Sequence, residues 1–393
     1  MPDVRPTWAP SLPAALLLLA PFDLLASLAM DIYLPVVPAM PAALGTSPAI
    51  VQLTLSLYLL GLGLGQVVFG PVSDRIGRRP VLLGGAAVFA IASAGLALSA
   101  SAPVFVAFRL LQSLGAAAAL VATFATVRDV YAERPESVAI YGLLGSMLAC
   151  VPALAPIPGA VLAGALGWRA LFWLLALAAL PPLVHAARRW HETRPPTAGA
   201  RSVMPILRSG DFWTYTFAFG AAMGTFFVFF STAPRVLIGG AGYSGLRFGL
   251  AFSTVALVML ATARVARRLV GRWGVAGSVR HGMALLLAGA AVLALASATG
   301  APSFARFVLP AWILAAGIAL TVSVSANGAL AAFGDRAGSA VALYFCGQSL
   351  IVSILGTAAV VCLDGDTALP LAVYAAATAS CVLAALRPRR GRS

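Results

Sequence analysis

About twelve runs of roughly twenty apolar residues follow one another along this chain, over approximately 12–34, 49–70, 79–99, 103–127, 138–161, 167–186, 211–233, 246–266, 278–298, 304–326, 337–361 and 367–386. At about 1.5 Å of rise per residue, a helix of that length matches the roughly 30 Å hydrocarbon layer of a bilayer. Backbone polar groups in hydrocarbon must be bonded within the protein, so the pattern predicts a bundle of spanning helices. Little remains for a soluble domain: 61% of the residues are apolar and 10% charged, against about a quarter charged in soluble domains.

The formal net charge is +14, and all 26 basic residues are arginine. A basic surface would suggest nucleic acid, but these arginines follow the loops. One alternate set of connections holds Arg75, Arg78, Arg79, Arg128, Arg134, Arg188, Arg189, Arg194, Arg201, Arg208, Arg267, Arg268, Arg272, Arg280 and Arg336, with Arg387, Arg389, Arg390 and Arg392 in the tail, while the other set holds Arg169, Arg235, Arg247 and Arg306. This is the positive-inside pattern, and it places both termini in the cytoplasm. With no basic domain left over, a nucleic-acid partner is not expected.

Other local signals carry less. The first apolar run follows Arg5 as a signal peptide would, but it is long, has no small-residue cleavage site and completes an even number of spans. Cys150, Cys346, Cys362 and Cys381 lack metal-ligand spacing and read as small core residues. Asp364-Gly-Asp366 has only a fragment of calcium-loop spacing and reads as an outer turn. His185, His191 and His281 have no metal-spaced partner, and the absence of lysine excludes a Walker-type phosphate loop. No metal or other cofactor is expected.

The longest polar interruption, 188–210, divides the chain into a six-span N-terminal bundle (1–187), a cytoplasmic linker (188–210) and a six-span C-terminal bundle with a short basic tail (211–393). Val270-Gly-Arg-Trp-Gly274, after the eighth span, echoes Ser73-Asp-Arg-Ile-Gly77 after the second, keeping Arg and Gly and losing the acid. Such repeats suggest a transporter with its substrate site near the bilayer midplane.

Several motifs stand in register with this organisation. Gly70-Pro-Val-Ser-Asp74-Arg75-Ile-Gly77-Arg78-Arg79 lies as a short cationic loop between spans two and three. Arg109-Leu-Leu-Gln112-Ser113-Leu-Gly115 lies in span four, and Ala155-Pro156-Ile-Pro158-Gly159-Ala160 in span five. They resemble the signatures of the major facilitator superfamily over essentially the whole chain, departing at Ser113, where Gly is usual, and at two Ala residues of the antiporter signature. Ala20-Pro-Phe-Asp23 through Asp31-Ile-Tyr33-Leu-Pro35-Val-Val-Pro38 resembles the first span of drug and proton antiporters related to bicyclomycin resistance, most of all chloramphenicol and florfenicol exporters. Stretches around Arg235, Asn327 and Tyr344 point the same way.

Asp23 lies half way along the first span, where a carboxylate costs roughly 2.5 to 3.5 kcal/mol. It reads either as a proton carrier or as a structural acid paired with Arg109. Asp31 lies about 12 Å farther along, where Tyr33, Pro35 and Pro38 signal the end of the span and access to water. Arg109 is the basic residue placed well inside a span, and by elimination it needs Asp23 or Asp31; the alternative is a tether between spans one and four. Gly70, Asp74, Arg75, Gly77, Arg78, Arg79 and Asp129 read as a cytoplasmic gate biasing a two-state equilibrium, or as topology and turn geometry alone. Pro156, Pro158 and Gly159 form the antiporter helix that the resemblance implies. For substrate, Phe226, Phe227 and Phe230 offer rings for an aryl group, and Asn327, Tyr344 and Gln348 offer hydrogen bonds or interhelical glue. Asp23, Tyr33 and Arg109 complete that set.

The expectation is an all-α membrane protein with twelve transmembrane helices in two pseudo-symmetric six-helix bundles, in the inner membrane of a bacterium and functional as a monomer. The resemblance implies proton-coupled efflux of small amphipathic antibiotics, chloramphenicol and florfenicol foremost, by alternating access, and hence resistance. Its partners are then a small-molecule drug, protons and the lipid bilayer. The alternatives are a proton-coupled nutrient importer of the same fold and a transport-inactive membrane sensor; an enzyme is not expected.

Overall fold

The computed structural model of the protein describes residues 12–131, 140, 144, 151–193, 203–333 and 337–386. Every described element is helical. Among the described residues ten helices are long and apolar enough to cross a bilayer, and two shorter apolar helices, Pro156–Leu166 and Leu369–Ala385, accompany them. The chain divides into two compact units, Met1–Ala200 and Arg201–Ser393. Most of 138–150 in the expected fifth span, with Cys150, lies outside the described residues, as do 194–202 of the expected linker and the basic tail from 387.

The first unit holds α1 (Leu12–Asp31), α2 (Pro48–Ile76), α3 (Arg78–Leu98), α4 (Ala102–Tyr131), α5 (Pro156–Leu166) and α6 (Arg169–Arg189). Lipid tails are as apolar as leucine, so helices in hydrocarbon associate through close packing of small residues. α4 supplies such a surface with Gly115, Ala116, Ala119 and Ala122, all buried, and both α2 and α3 pack along it. Ser113 stands against Gly61 of α2, so the Ser that departs from the family signature is accommodated by a glycine opposite.

Two apolar clusters hold the ends of this unit. At one, Leu18, Leu19 and Phe22 of α1 meet Leu82, Ala122, Tyr131 and Trp190, with the Phe22 and Trp190 rings edge to face at 6.2 Å. At the other, Tyr33, Phe105, Trp168 and Phe172 bring their rings to 5.4 to 6.1 Å.

Two local expectations are corrected here. The segment Gly70–Arg79 is not a loop: α2 continues through Pro71 to Ile76, and α3 starts at Arg78. The whole reversal is made at Gly77, whose φ of 111° is open to glycine and strained for other residues. Similarly, Tyr33, Pro35 and Pro38 do not release the chain to water. A 3₁₀ segment, Leu34–Ala39, and a short helix, Met40–Ala43, prolong the first span: Pro35 and Pro41 stand in the first turns of these segments, where a proline loses no bond that would otherwise form, and Pro38 lies inside the 3₁₀ segment without ending it.

The second unit holds α7 (Gly210–Pro234), α8 (245–273), α9 (275–298), α10 (Leu309–Leu330), α11 (Ala337–Ile351) and α12 (Leu369–Ala385). Ser209, Ser244 and Ser303 cap helical segments by accepting from the backbone N–H three residues on. α8 and α9 are hydrogen-bonded as one run that turns at Gly274, where φ is 65°. Gly274 occupies the place of Gly77 in the sequence echo, so the repeat preserves the conformation of its turn as well as its residue.

Candidate functional site

The first unit buries a polar constellation among α1, α2, α3 and α4. Arg109, on α4, is fully buried. One guanidinium nitrogen donates to the Ala29 carbonyl of α1 at 3.1 Å and to Gln112 Oε1 at 2.8 Å. The cation also lies over two aromatic faces, 4.6 Å from the Tyr58 centroid and 5.2 Å from that of Tyr33. Gln112 Nε2 passes the network to Ser93 Oγ on α3 at 2.8 Å, and Ser93 donates to the Phe89 carbonyl at 2.7 Å. The Tyr58 hydroxyl donates to the Ala26 carbonyl at 2.7 Å, tying α2 to α1.

Elimination among charged residues set Arg109 against Asp23 or Asp31. In the structure neither carboxylate forms an ion pair with it; its charge is held by a carbonyl, an amide and two rings, all electron-rich and none carrying a formal charge. Asp23 is buried on α1, with Oδ2 accepting no hydrogen bond. Asp31 is buried too, not at the water interface, and its nearest donor is Ser27 Oγ at 3.5 Å. Its burial follows from the prolonged first span and from α5, since a Cβ at Gly159 would run into the Ile32 carbonyl. Of the antiporter-helix residues, Pro156 opens α5 and is buried, whereas Pro158 is exposed.

This geometry makes Arg109→Lys a severe change although it keeps the charge. A lysine ammonium lacks the planar fork that meets the Ala29 carbonyl and Gln112 together while stacking on tyrosine. Losing one charge-assisted bond of about 1.5 kcal/mol corresponds to roughly a tenfold fall in transport rate. Initial rates in proteoliposomes at matched protein would check it.

The arginine-rich end of the unit carries a second cluster. Arg78 is buried; its Nε donates to Asp129 Oδ2 of α4 at 2.8 Å, and a terminal nitrogen reaches Asp74 Oδ1 and Ser73 Oγ of α2. Asp74 and Arg78 thus pair across the Gly77 turn. Arg75 and Arg79 are exposed, and Arg79 donates to the Ala187 carbonyl of α6 at 2.7 Å. Gly70 lies within α2 with open space around it, so no close neighbour requires glycine there.

In the second unit, Phe226, Phe227 and Phe230 of α7 are buried, and Phe230 meets both of the others edge to face. Phe229, between them, stacks on Phe252 and Phe307, so it belongs to the scaffold. Tyr344 of α11 is buried and stacks on Phe219 of α7 at 4.8 Å. Gln348 is half-buried and Asn327 of α10 is exposed. Asp366, in the turn before α12, pairs with Arg235 at 2.7 Å. No group of three His, Cys, Asp or Glu among the described residues is placed to hold a metal ion.

Sequence reasoning missed Tyr58 and Glu192. Glu192, one of three glutamates in the chain, caps the start of α3: its carboxylate accepts from the backbone N–H of Arg78 at 2.8 Å and of Arg79 at 3.2 Å. A carboxylate suits a helix N-terminus, where unbonded N–H groups and the helix dipole meet. Its partners lie 114 and 113 residues away, beyond any local capping pattern. Tyr58 reads as one more apolar-span aromatic until its ring is seen over the cation.

A family model described as Major Facilitator Superfamily matches residues 20–357. A "Chloramphenicol resistance protein" of Pseudomonas aeruginosa is 49% identical over 381 residues, covering 96% of this chain and 91% of the relative. A "Multidrug resistance protein MdtL" of Escherichia coli (strain K12 / DH10B) is 29% identical over 330 residues, 82% of this chain and 83% of the relative. Among solved structures, the crystal structure of a D-xylose-proton symporter has a TM-score of 0.77 at 17% identity, covering 95% of this chain and 97% of that one. That likeness is one of fold alone.

Proposed function

The chain belongs to the Major Facilitator Superfamily, and from that premise we propose that it exports chloramphenicol, florfenicol and similar small amphipathic antibiotics in exchange for protons, conferring resistance. It is a multi-pass membrane transporter and not an enzyme. The observation that carries the substrate reading is the 49% identity to a chloramphenicol resistance protein across nearly the full length of both chains.

The coupling reading is supported by the two buried acids on α1 and the buried cation on α4. Asp23 and Asp31 are the proton-coupling candidates. Arg109 sets the local field in which either acid changes charge, and a proton moving inward down the membrane potential releases about 2.3 kcal/mol per 100 mV. Substrate contacts in the first unit are assigned to Asp23, Tyr33 and Arg109. In the second they are assigned to Phe226, Phe227, Phe230, Asn327, Tyr344 and Gln348. The Arg78 cluster, with Gly70, Asp74, Arg75, Gly77, Arg79 and Asp129, is the cytoplasmic gate: its ion pairs form in one state of an alternating-access cycle and break in the other. The protein acts as a monomer in the bacterial inner membrane, with both termini in the cytoplasm. It is driven by the proton gradient without a bound cofactor.

The test is drug accumulation in energised cells of a pump-deficient host. Cells making the protein should hold several-fold less chloramphenicol and florfenicol than controls, and a protonophore should abolish the difference. Equal accumulation at verified expression would remove the phenicol reading, and raised accumulation would favour import.

A further inference from the structure

The outer face of α6 carries a groove of about 670 Å³ lined by Leu177, Leu180, Pro181, Val184, His185, Arg188 and Arg189. Leu177, Leu180, Pro181, Val184 and Arg188 recur at helical spacings of three and four, so they form one stripe. The three aliphatic side chains are among the exposed large apolar residues. From Leu177 to Arg188 the helix rises about 16 Å, close to half the roughly 30 Å hydrocarbon thickness and so to the depth of one leaflet.

The groove is apolar along its length and basic at one end. Arg188 and Arg189 are exposed, and neither is tied into an ion pair or hydrogen bond among the described residues. Arg79 reaches the same end through its bond to the Ala187 carbonyl. Glu192, the acid nearest in sequence, is directed to the amides of α3. A drug-sized guest needs a site that encloses most of its surface, whereas the side chains lining this groove all belong to α6. A long chain with a negative head, lying parallel to the helix, fits both the length and the charge.

We propose that this face of α6 binds one anionic phospholipid, its phosphate held by Arg188 and Arg189 beside His185 and one acyl chain lying along Leu177, Leu180 and Val184. The site is distinct from the transport constellation and does not depend on the drug exported. Lipid that merely surrounds a protein is chosen for its tails, whereas a lipid held here is chosen for its head.

The experiment titrates the purified full chain in detergent with phosphatidylglycerol or phosphatidylcholine of identical acyl chains and reads bound lipid by native mass spectrometry. The parent should retain phosphatidylglycerol preferentially, by about fivefold for each arginine engaged. Arg188→Gln with Arg189→Gln should reduce retention to the phosphatidylcholine level. Leu180→Trp, which fills the groove with both arginines intact, should also weaken it. All three positions are exposed, so elution as a single folded species accompanies the comparison. Equal retention of the two lipids by the parent, or an undiminished preference in the double variant, would overturn the proposal. Displacement of the lipid by inorganic phosphate alone would overturn it too, by making the site one for a simple anion.

Discussion

Replacing Asp23 by Asn is expected to end proton-driven export, raising drug accumulation to the level of cells without the protein at matched expression. Asn has nearly the volume of Asp and keeps an acceptor oxygen, so the packing around α1 is little disturbed; what it loses is the ability to take up and release a proton. Because Asp23 is buried and one of its oxygens accepts no hydrogen bond, neutralising it leaves no partner stranded. The variant should therefore still exchange labelled for unlabelled drug across a proteoliposome membrane, a process that needs no net proton movement. Retained exchange with lost uphill export would assign Asp23 to coupling. Loss of both would mean that the charge of Asp23 is needed for its substrate contact as well as for coupling, and a larger defect from Asp31→Asn than from Asp23→Asn would move the proton site to Asp31.

Arg78→Gln is expected to have the largest effect on stability. Asp129, whose side chain is 5% exposed, would lose its closer cation and keep only the half-exposed Arg128 at 3.4 Å, and stripping a buried carboxylate of its main partner costs up to about 3 kcal/mol. Asp74, half exposed, adds little because water screens it. The variant should unfold at a clearly lower temperature in detergent and transport poorly. Adding Asp129→Asn should recover part of the stability, since the stranded charge is removed with its partner. If the two substitutions simply added, the contact between α3 and α4 would carry no coupling and the proposed gate would lose its physical basis.

The residues that were legible in the sequence are those whose signal is local. Hydrocarbon thickness dictates the length of a spanning helix, so the apolar runs announce themselves, and Gly77 and Gly274 mark turns because few residues tolerate their φ. The path of α2 to Ile76 was not legible, because an arginine-rich stretch in water can be helix or loop with the same composition. Asp31 is misplaced for a related reason: Pro35 and Pro38 read as stops, but Pro35 sits in the first turn of a 3₁₀ segment, Pro38 lies inside that segment without ending the helical run, and Pro41 opens the next helix. Arg109 was assigned a carboxylate because formal charge is visible in a sequence, whereas a carbonyl at Ala29, an amide at Gln112 and the faces of Tyr33 and Tyr58 are not. Glu192 was missed because it caps a helix that begins more than a hundred residues earlier.

The single-residue reversal at Gly77 also has a mechanical meaning. With α2 helical to Ile76 and α3 helical from Arg78, no slack chain lies between them to absorb displacement. α2 is 29 residues long, about 43 Å of nearly stiff rod, so a tilt of about 5° about one end carries the other through about 4 Å. Joined at one point and clasped there by Asp74 and Arg78, the two helices form a lever: a small rotation deep in the bilayer arrives at the arginine-rich surface as a movement longer than a hydrogen bond.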